Sequence, residues 1–262
     1  MEDEIIKIIF YFFMYSLLGW AMESIYLSIG QRRLVNTGFL YGPFCPIYGF
    51  GAVVLYVLLI HLQGKPVLIF LAGFFVLSVW EYFVGFLLEK LFKTKYWDYS
   101  HLKFNINGRV CLKNSIYWGL LGVAFTFVIH PFIKQYVDMI PEKTLTYVNI
   151  VVYTVLITDV VISVTRILFI DKKIQQIHEI GDKIKEKINE LKQQDIMGKV
   201  SNESITLAIT QLKKQQAVLK IKLYKLIIRL KRAFPTMQSE TISKFINQKI
   251  DLANIRKKLR SK

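Results

Sequence analysis

Five apolar stretches, each long enough or nearly long enough to cross a bilayer, limit what this chain can fold into. A span needs about 20 mostly apolar residues to traverse roughly 30 Å of hydrocarbon, and there every backbone polar group must find a partner within the protein. The stretches lie at about 5–29, 46–62, 66–92, 115–137 and 146–170, the second being the shortest. They account for a 53% apolar content and a mean hydropathy of +0.36, above what a soluble domain carries. The expectation is an all-α integral membrane protein, with a transmembrane domain of about five helices over 1–170 and a helical tail over 171–262. The opening "MEDEIIKIIF" is acidic, and the apolar block behind it is too long for a signal-peptide core. It reads as a retained helix.

Lysine and arginine set the orientation. The loop after the first span holds Arg32 and Arg33. The loop after the third holds Lys93, Lys95, Lys103, Arg109 and Lys113, whereas the other two hold only Lys65, and Lys134 with Lys143. This alternation places the N-terminus outside and the first and third loops in the cytoplasm of a multi-pass cell-membrane protein. The tail agrees, since it carries 22 basic and 9 acidic residues and hence +13 of the chain's net +16. Cys45 and Cys111 then face a reducing compartment, so no disulfide is expected. Neither has a CxxC partner or a histidine at ligand spacing, so no metal is expected either.

The membrane part reads as two similar hairpins. Trp20 with Glu23 in the first span resembles Trp80 with Glu81 in the third. Each is followed by a basic loop with Asn and Gly (Asn36 and Gly38; Asn107 and Gly108). Each loop leads to a short motif, Ile47-Tyr48-Gly49 in one and Ile116-Tyr117-Trp118-Gly119 in the other. Two such hairpins would be related by an axis along the membrane normal, an arrangement in which transporters place their sites between the halves.

Charged groups inside spans cost about 2.5–3.5 kcal/mol each on insertion scales, so each needs a reason. They are Glu23, Glu81, Asp159 and Arg166, with Glu89 near a span end. Asp159 and Arg166 are two turns apart on one face. One reading is an inward-facing polar cavity lined by the carboxylates, joined by Trp20 and Tyr48 and closed by Arg166. The other is that Arg166 neutralises carboxylates and holds the bundle together.

Between the first two spans stands "NTGFLYGPFCPIYGFGA", from Asn36 to Ala52. It is too broken for a helix and too apolar for a solvated loop. Pro43 and Pro46 remove two backbone donors; Gly42 and Gly49 permit tight turns and close approach. Non-helical backbone at membrane depth occurs only where protein buries it or water reaches it. The segment therefore reads as a re-entrant turn against the carboxylates, or as a structural elbow. Tyr96, Trp97 and Tyr99, beside lysines, read as interfacial anchors.

With these residues in view, the blocks "GW…E", "NTGFLYGPFCPIYGFGA", "WEY" and "NGRVCLKNSIYWGLLG" resemble the signature blocks of a bacterial membrane family catalogued as type IV ABC-transporter permeases. The similarity covers roughly residues 8–170. It implies a membrane subunit that moves a substrate, with a separate chain supplying the ATPase.

The tail has a seam of its own. Ile205, Ile209, Leu212, Leu219, Leu223, Leu226 and Leu230 follow coiled-coil spacing, with Gln216 at the one missing position. Ile177, Ile180, Ile184, Ile188 and Leu191 form a weaker stripe before it, and "MGKVSNES" reads as the turn between them. The two helices either fold back as an antiparallel hairpin or pair with a second subunit. Pro235 ends the second helix. An amphipathic piece with Ile242, Phe245, Ile246, Ile250, Leu252, Ile255 and Leu259 follows. The basic face suits anionic lipid headgroups, and no specific nucleic-acid motif is present.

No P-loop glycine–lysine motif, dinucleotide fingerprint or metal-ligand cluster is present, so no cofactor is expected. Three classes remain: a permease subunit, a membrane-anchored scaffold or sensor acting through the tail, and an intramembrane enzyme modifying lipid.

Overall fold

A computed structural model describes residues 2–59, 64–196 and 203–247. The chain divides into two compact units, one of residues 1–164 with 231–238, the other of residues 165–230 with 239–262.

The first unit begins with α1 (Glu2–Gln31), α2 (Pro46–Leu59) and α3 (Pro66–Phe92). It continues through α4 (Leu112–Ala124), a π-helical turn (Phe125–Ile129), α5 (His130–Val137) and most of α6 (Glu142–Leu168). Among the described residues, four stretches are long and apolar enough to cross a membrane: Asp3–Gln31, Pro66–Phe92, Leu112–Val137 and Glu142–Leu168. The second expected span is not one of them. At 14 residues, α2 is about 21 Å long, short of the hydrocarbon thickness; positions 60–62 of that span lie outside the described residues. Pro46 and Pro66 open α2 and α3, where a missing N–H costs nothing. The π turn has a local cause. Pro131 has no N–H to donate and its ring crowds the carbonyl four residues back, so the ladder widens and the His130 N–H reaches the Phe125 carbonyl.

Apolar side chains face outward along these helices, among them Tyr26, Phe75, Val79, Val128 and Val161. Such a surface would be a liability in water and is what lipid requires. Inside, Phe10, Tyr11, Tyr15, Leu55, Ile69, Leu77, Phe125 and Leu145 pack into one core. The described residues depart from the all-α expectation in one short loop. The segment between α3 and α4 carries a small antiparallel hairpin of β1 (Asn105–Ile106) and β2 (Val110–Cys111).

The hairpins α1–α2 and α3–α4 make the same contacts at matched positions. A Cβ on Gly49 would collide with Phe12, and one on Gly119 with Phe70. Phe12 and Phe70 are 58 residues apart, as are Glu23 and Glu81; Gly49 and Gly119 are 70 apart. Gly38 and Gly108, also 70 apart, both take positive φ, at 86° and 67°. This register pairs Tyr48 with Trp118 rather than with Tyr117, and Trp20 with Ser78 rather than with Trp80. The sequence comparison, which matched the tryptophans and the Ile-Tyr pairs, is corrected by one or two residues. The two aromatic partners touch each other, Tyr48 to Trp118 at 5.9 Å between ring centroids.

In the second unit, α7 (Ile170–Ile196) and α8 (Glu203–Ala233, its last three residues belonging to the first unit) meet. Gln216, the polar residue in the α8 seam, donates to the Ile177 carbonyl at 2.9 Å and lies over Gly181. Ile177, Ile184, Leu223, Leu226, Ile227 and Leu230 are buried. Ile242 and Phe245 are buried on the short α9 (Glu240–Asn247). Ile250, Leu252, Ile255 and Leu259, and most of the turn between α7 and α8, lie outside the described residues.

Candidate functional site

The segment between α1 and α2 contains no helix or strand from Arg33 to Cys45, and it runs back along α1 instead of away from it. The Cys45 N–H reaches the Ser16 carbonyl at 3.0 Å. Ser16 lies fifteen residues before the end of α1, roughly 22 Å along the helix axis. The close fit continues into α2, where Gly49 sits on Ser16 and Phe12, and Tyr48 on Gly19.

Side chains replace the missing helical bonds of this segment. Trp20 donates to Asn36 at 2.7 Å, and Asn36 donates to the Tyr41 carbonyl at 2.9 Å. Ser24 and Thr37 share a buried bond of 2.9 Å. The Tyr41 and Gly42 amides both donate to Asp159 of α6, at 3.0 and 2.6 Å. A carboxylate taking two backbone N–H groups makes charge-assisted bonds. At the start of α2, Trp80 donates to the Ile47 carbonyl at 3.0 Å.

Glu23, half-buried on α1, receives the Cys45 thiol at 3.7 Å and the Tyr48 hydroxyl. Glu81, on α3, is 5% exposed. It accepts from Trp118 at 2.9 Å and from the Tyr99 hydroxyl at 3.1 Å. The result is a row, Glu23–Tyr48–Trp118–Glu81, in which two matched aromatic residues stand between two matched carboxylates. The partners named here are neutral donors. Burial, and then the Glu81 carboxylate, push the Tyr99 pKa up, so this hydroxyl keeps its proton and donates.

The structure thus brings Glu23, Glu81 and Tyr48 together. It assigns Asp159 to the backbone of the broken segment and Trp20 to bracing that segment. Pro46 begins α2, Gly42 lies against Asp159, and Pro43 is exposed between them. Arg166 stands in the last turn of α6, two turns beyond Asp159. Glu89 pairs with Arg109 at 2.9 Å, and that guanidinium lies over the Tyr82 and Phe86 rings.

Sequence reasoning missed Cys45, Tyr99 and Trp118 as partners of the carboxylates. The expected interfacial aromatics turn inward: Tyr96 is 3% exposed, Trp97 donates to the Arg109 carbonyl and packs on Gly85, and Tyr99 serves Glu81. The signal for Trp118 was the Gly38–Tyr48 and Gly108–Trp118 spacing, ten residues in each hairpin. Cys45 and Cys111 are free and buried. Among the described residues no group of three His, Cys, Asp or Glu side chains converges to hold a metal ion.

A sequence model of the family described as "Putative ABC-transporter type IV" matches residues 10–164, which takes in every residue of the row and of the broken segment. No curated protein and no solved structure matches.

Proposed function

The chain belongs to this ABC-transporter family, and on that premise we propose that it is the membrane subunit of a transporter whose route passes the Glu23–Tyr48–Trp118–Glu81 row. The observation that carries the reading is the matched contact of Tyr48 with Trp118, each beside its own carboxylate. A repeated hairpin puts equivalent residues face to face at its pseudo-axis, which is where repeat-built transporters bind what they carry.

In this reading residues 36–45 are a re-entrant turn entering from the cytoplasmic side. They bring the chain to mid-membrane, so the 14 described residues of α2, about 21 Å long, are enough to cover the remaining half of the bilayer. Asp159 holds the turn in place through its two amide bonds. The basic loops and the +13 tail face the cytoplasm, and Arg166 sits at that end of α6. The basic tail lies near anionic headgroups. ATP hydrolysis comes from a second polypeptide, because this chain has no P-loop.

The test is purification of the tagged protein from its native membranes in mild detergent, followed by reconstitution in nanodiscs. An ATPase subunit at fixed stoichiometry is expected. Its turnover should change several-fold in the Glu23→Gln and Glu81→Gln proteins while the complex stays assembled. A chain that purifies alone, or an ATPase indifferent to both substitutions, overturns the proposal.

A further inference from the structure

Residues 231–238, the last three residues of α8 and the five that follow them, come after α7 and the rest of α8 in sequence, yet they are part of the membrane unit. Their attachment is specific. Lys95 and Gln238 form an antiparallel β-bridge, exchanging backbone bonds of 2.9 and 2.8 Å. The Asp98 amide donates to the Thr236 hydroxyl at 3.1 Å, and the Gln238 side-chain amide donates to the Asp98 carboxylate at 2.7 Å. Phe234 packs edge-on against Tyr96, with ring centroids 5.0 Å apart. Gln31, the last residue of α1, donates to the Arg232 carbonyl at 3.0 Å. Ala233 and Met237 are buried at 1% and 7% exposure.

The strap's contacts lead to the segments that supply partners to the polar row. Tyr96 packs on Phe39, inside the broken segment that ends at Cys45. Three residues beyond Tyr96, Tyr99 donates to Glu81. One short strap is therefore bonded to the stretch that supplies Tyr99 to Glu81 and, through Tyr96, packed toward the segment that supplies Cys45 to Glu23, and it is the direct continuation of α8.

We propose that residues 231–238 are a latch: seated on 95–98, they shut the approach to the Glu23–Glu81 row, and α8 releases them to open it. Rotation or displacement of α8 acts first on Phe234 and the β-bridge, because Pro235 and the two residues after it leave no slack between them. The inference rests on the row being a route, as proposed above. Its test reads the covering segments alone and does not depend on transport.

The two native thiols are the reporters, since Cys45 ends the broken segment against Glu23 and Cys111 stands at the foot of α4. Purified protein in detergent micelles is exposed to a charged maleimide, and the labelling of each cysteine is followed by peptide mass spectrometry. Thr236→Ala with Gln238→Ala, and separately Phe234→Ala, should each speed labelling of Cys45 by about ten-fold while the protein still elutes as a folded species. A Lys95→Cys, Gln238→Cys pair supplies the opposite arm. Directly bridged residues of this kind have Cα atoms about 5.5 Å apart, within disulfide reach. Oxidised before labelling, the pair should slow Cys45 labelling several-fold below wild type, and reduction should restore it. Unchanged Cys45 labelling in the folded loosening variants overturns the latch. Should those variants fail to fold, a locked protein that labels as fast as wild type overturns it equally. Failure here leaves the transport proposal intact, and indifference of the ATPase to Glu23→Gln leaves the latch intact.

Discussion

Replacing Gly49 with alanine should destabilise the membrane unit, against the ordinary preference of helices for alanine. In an open helical position Gly→Ala gains about 0.5–1 kcal/mol. At Gly49 the added Cβ would stand 2.2 Å from the Ser16 hydroxyl oxygen and 2.6 Å from the Phe12 carbonyl oxygen. The second contact is with backbone in the middle of α1, which cannot move aside without bending the helix. Overpacking of this kind costs about 1–3 kcal/mol, and the upper end applies where backbone must shift. The net loss is then about 2 kcal/mol, which for a domain of this size lowers the apparent Tm by about 4–8 °C. Two further glycines grade the effect. Gly119 meets the Phe70 ring at 2.6 Å, a side chain that can turn, so Gly119→Ala should cost less. Gly30 has nothing within 4 Å, so Gly30→Ala should be neutral or slightly stabilising. A thiol-reactive dye reads unfolding directly, because Cys45 and Cys111 are both buried. An ordering in which Gly49→Ala melts at or above wild type, or no lower than Gly30→Ala, refutes the packing argument.

Asp159→Asn keeps one acceptor for the Tyr41 and Gly42 amides but turns an NH2 group toward the other. Loss of one charge-assisted bond costs about 1.5–3 kcal/mol and should lower the Tm in the same dye assay, with Asp159→Ala lower still. Tyr15→Phe removes the 2.7 Å bond to His130 and leaves a buried imidazole nitrogen without it, at about 1–2 kcal/mol; a Tm equal to wild type would show that the bond contributes nothing. The strap has a defined pH limit. Burial pushes the Asp98 carboxyl up, but the hydrogen bonds from Lys95 and Ser100 outweigh it and hold its pKa below the ordinary 3.8. A depressed folded-state pKa gives a contribution present above the unfolded value and lost as pH falls through the folded one. Hydrogen exchange of the 234–240 peptide, corrected for intrinsic rate, should therefore show constant protection at pH 7 and 5 and loss only below the ordinary carboxyl value of 3.8. Loss already at pH 5 would count against Asp98 as the anchor.

What the sequence made legible were the features written in its own periodicities. The four long spans follow from the length of their apolar runs, and the hairpin pairing from the recurrence of Glu, Gly and aromatic residues. Glu23 and Glu81 stood out because a carboxylate in an apolar run is expensive. Other features depend on contacts between positions far apart, to which local pattern is blind. Nothing near Asp159 indicates that it receives the amides of Tyr41 and Gly42. Tyr99 sits among lysines like an anchor at the membrane surface, and only the fold of the 93–111 loop aims it at Glu81. The strap reads as the stop of the second tail helix because Pro235 stands there, while its β-bridge partner, Lys95, lies far back in the chain. The π turn was foreshadowed by Pro131, but a proline fixes only that the ladder breaks, not which way it yields.

The depth at which α2 begins has an electrostatic consequence. A full-length span keeps both ends of its macrodipole in the headgroups, where water screens them. In a helix that starts at Pro46, alongside Ser16, the amino end falls, on the re-entrant reading, within the hydrocarbon. There the aligned peptide dipoles leave about half a positive charge at the amino end, in a medium that screens little. Glu23 lies at that end, against Cys45, which precedes the helix, and Tyr48 in its first turn. A negative side chain at this depth therefore meets positive potential from the polypeptide itself. A lysine in its place would meet repulsion in addition to its own cost of burial.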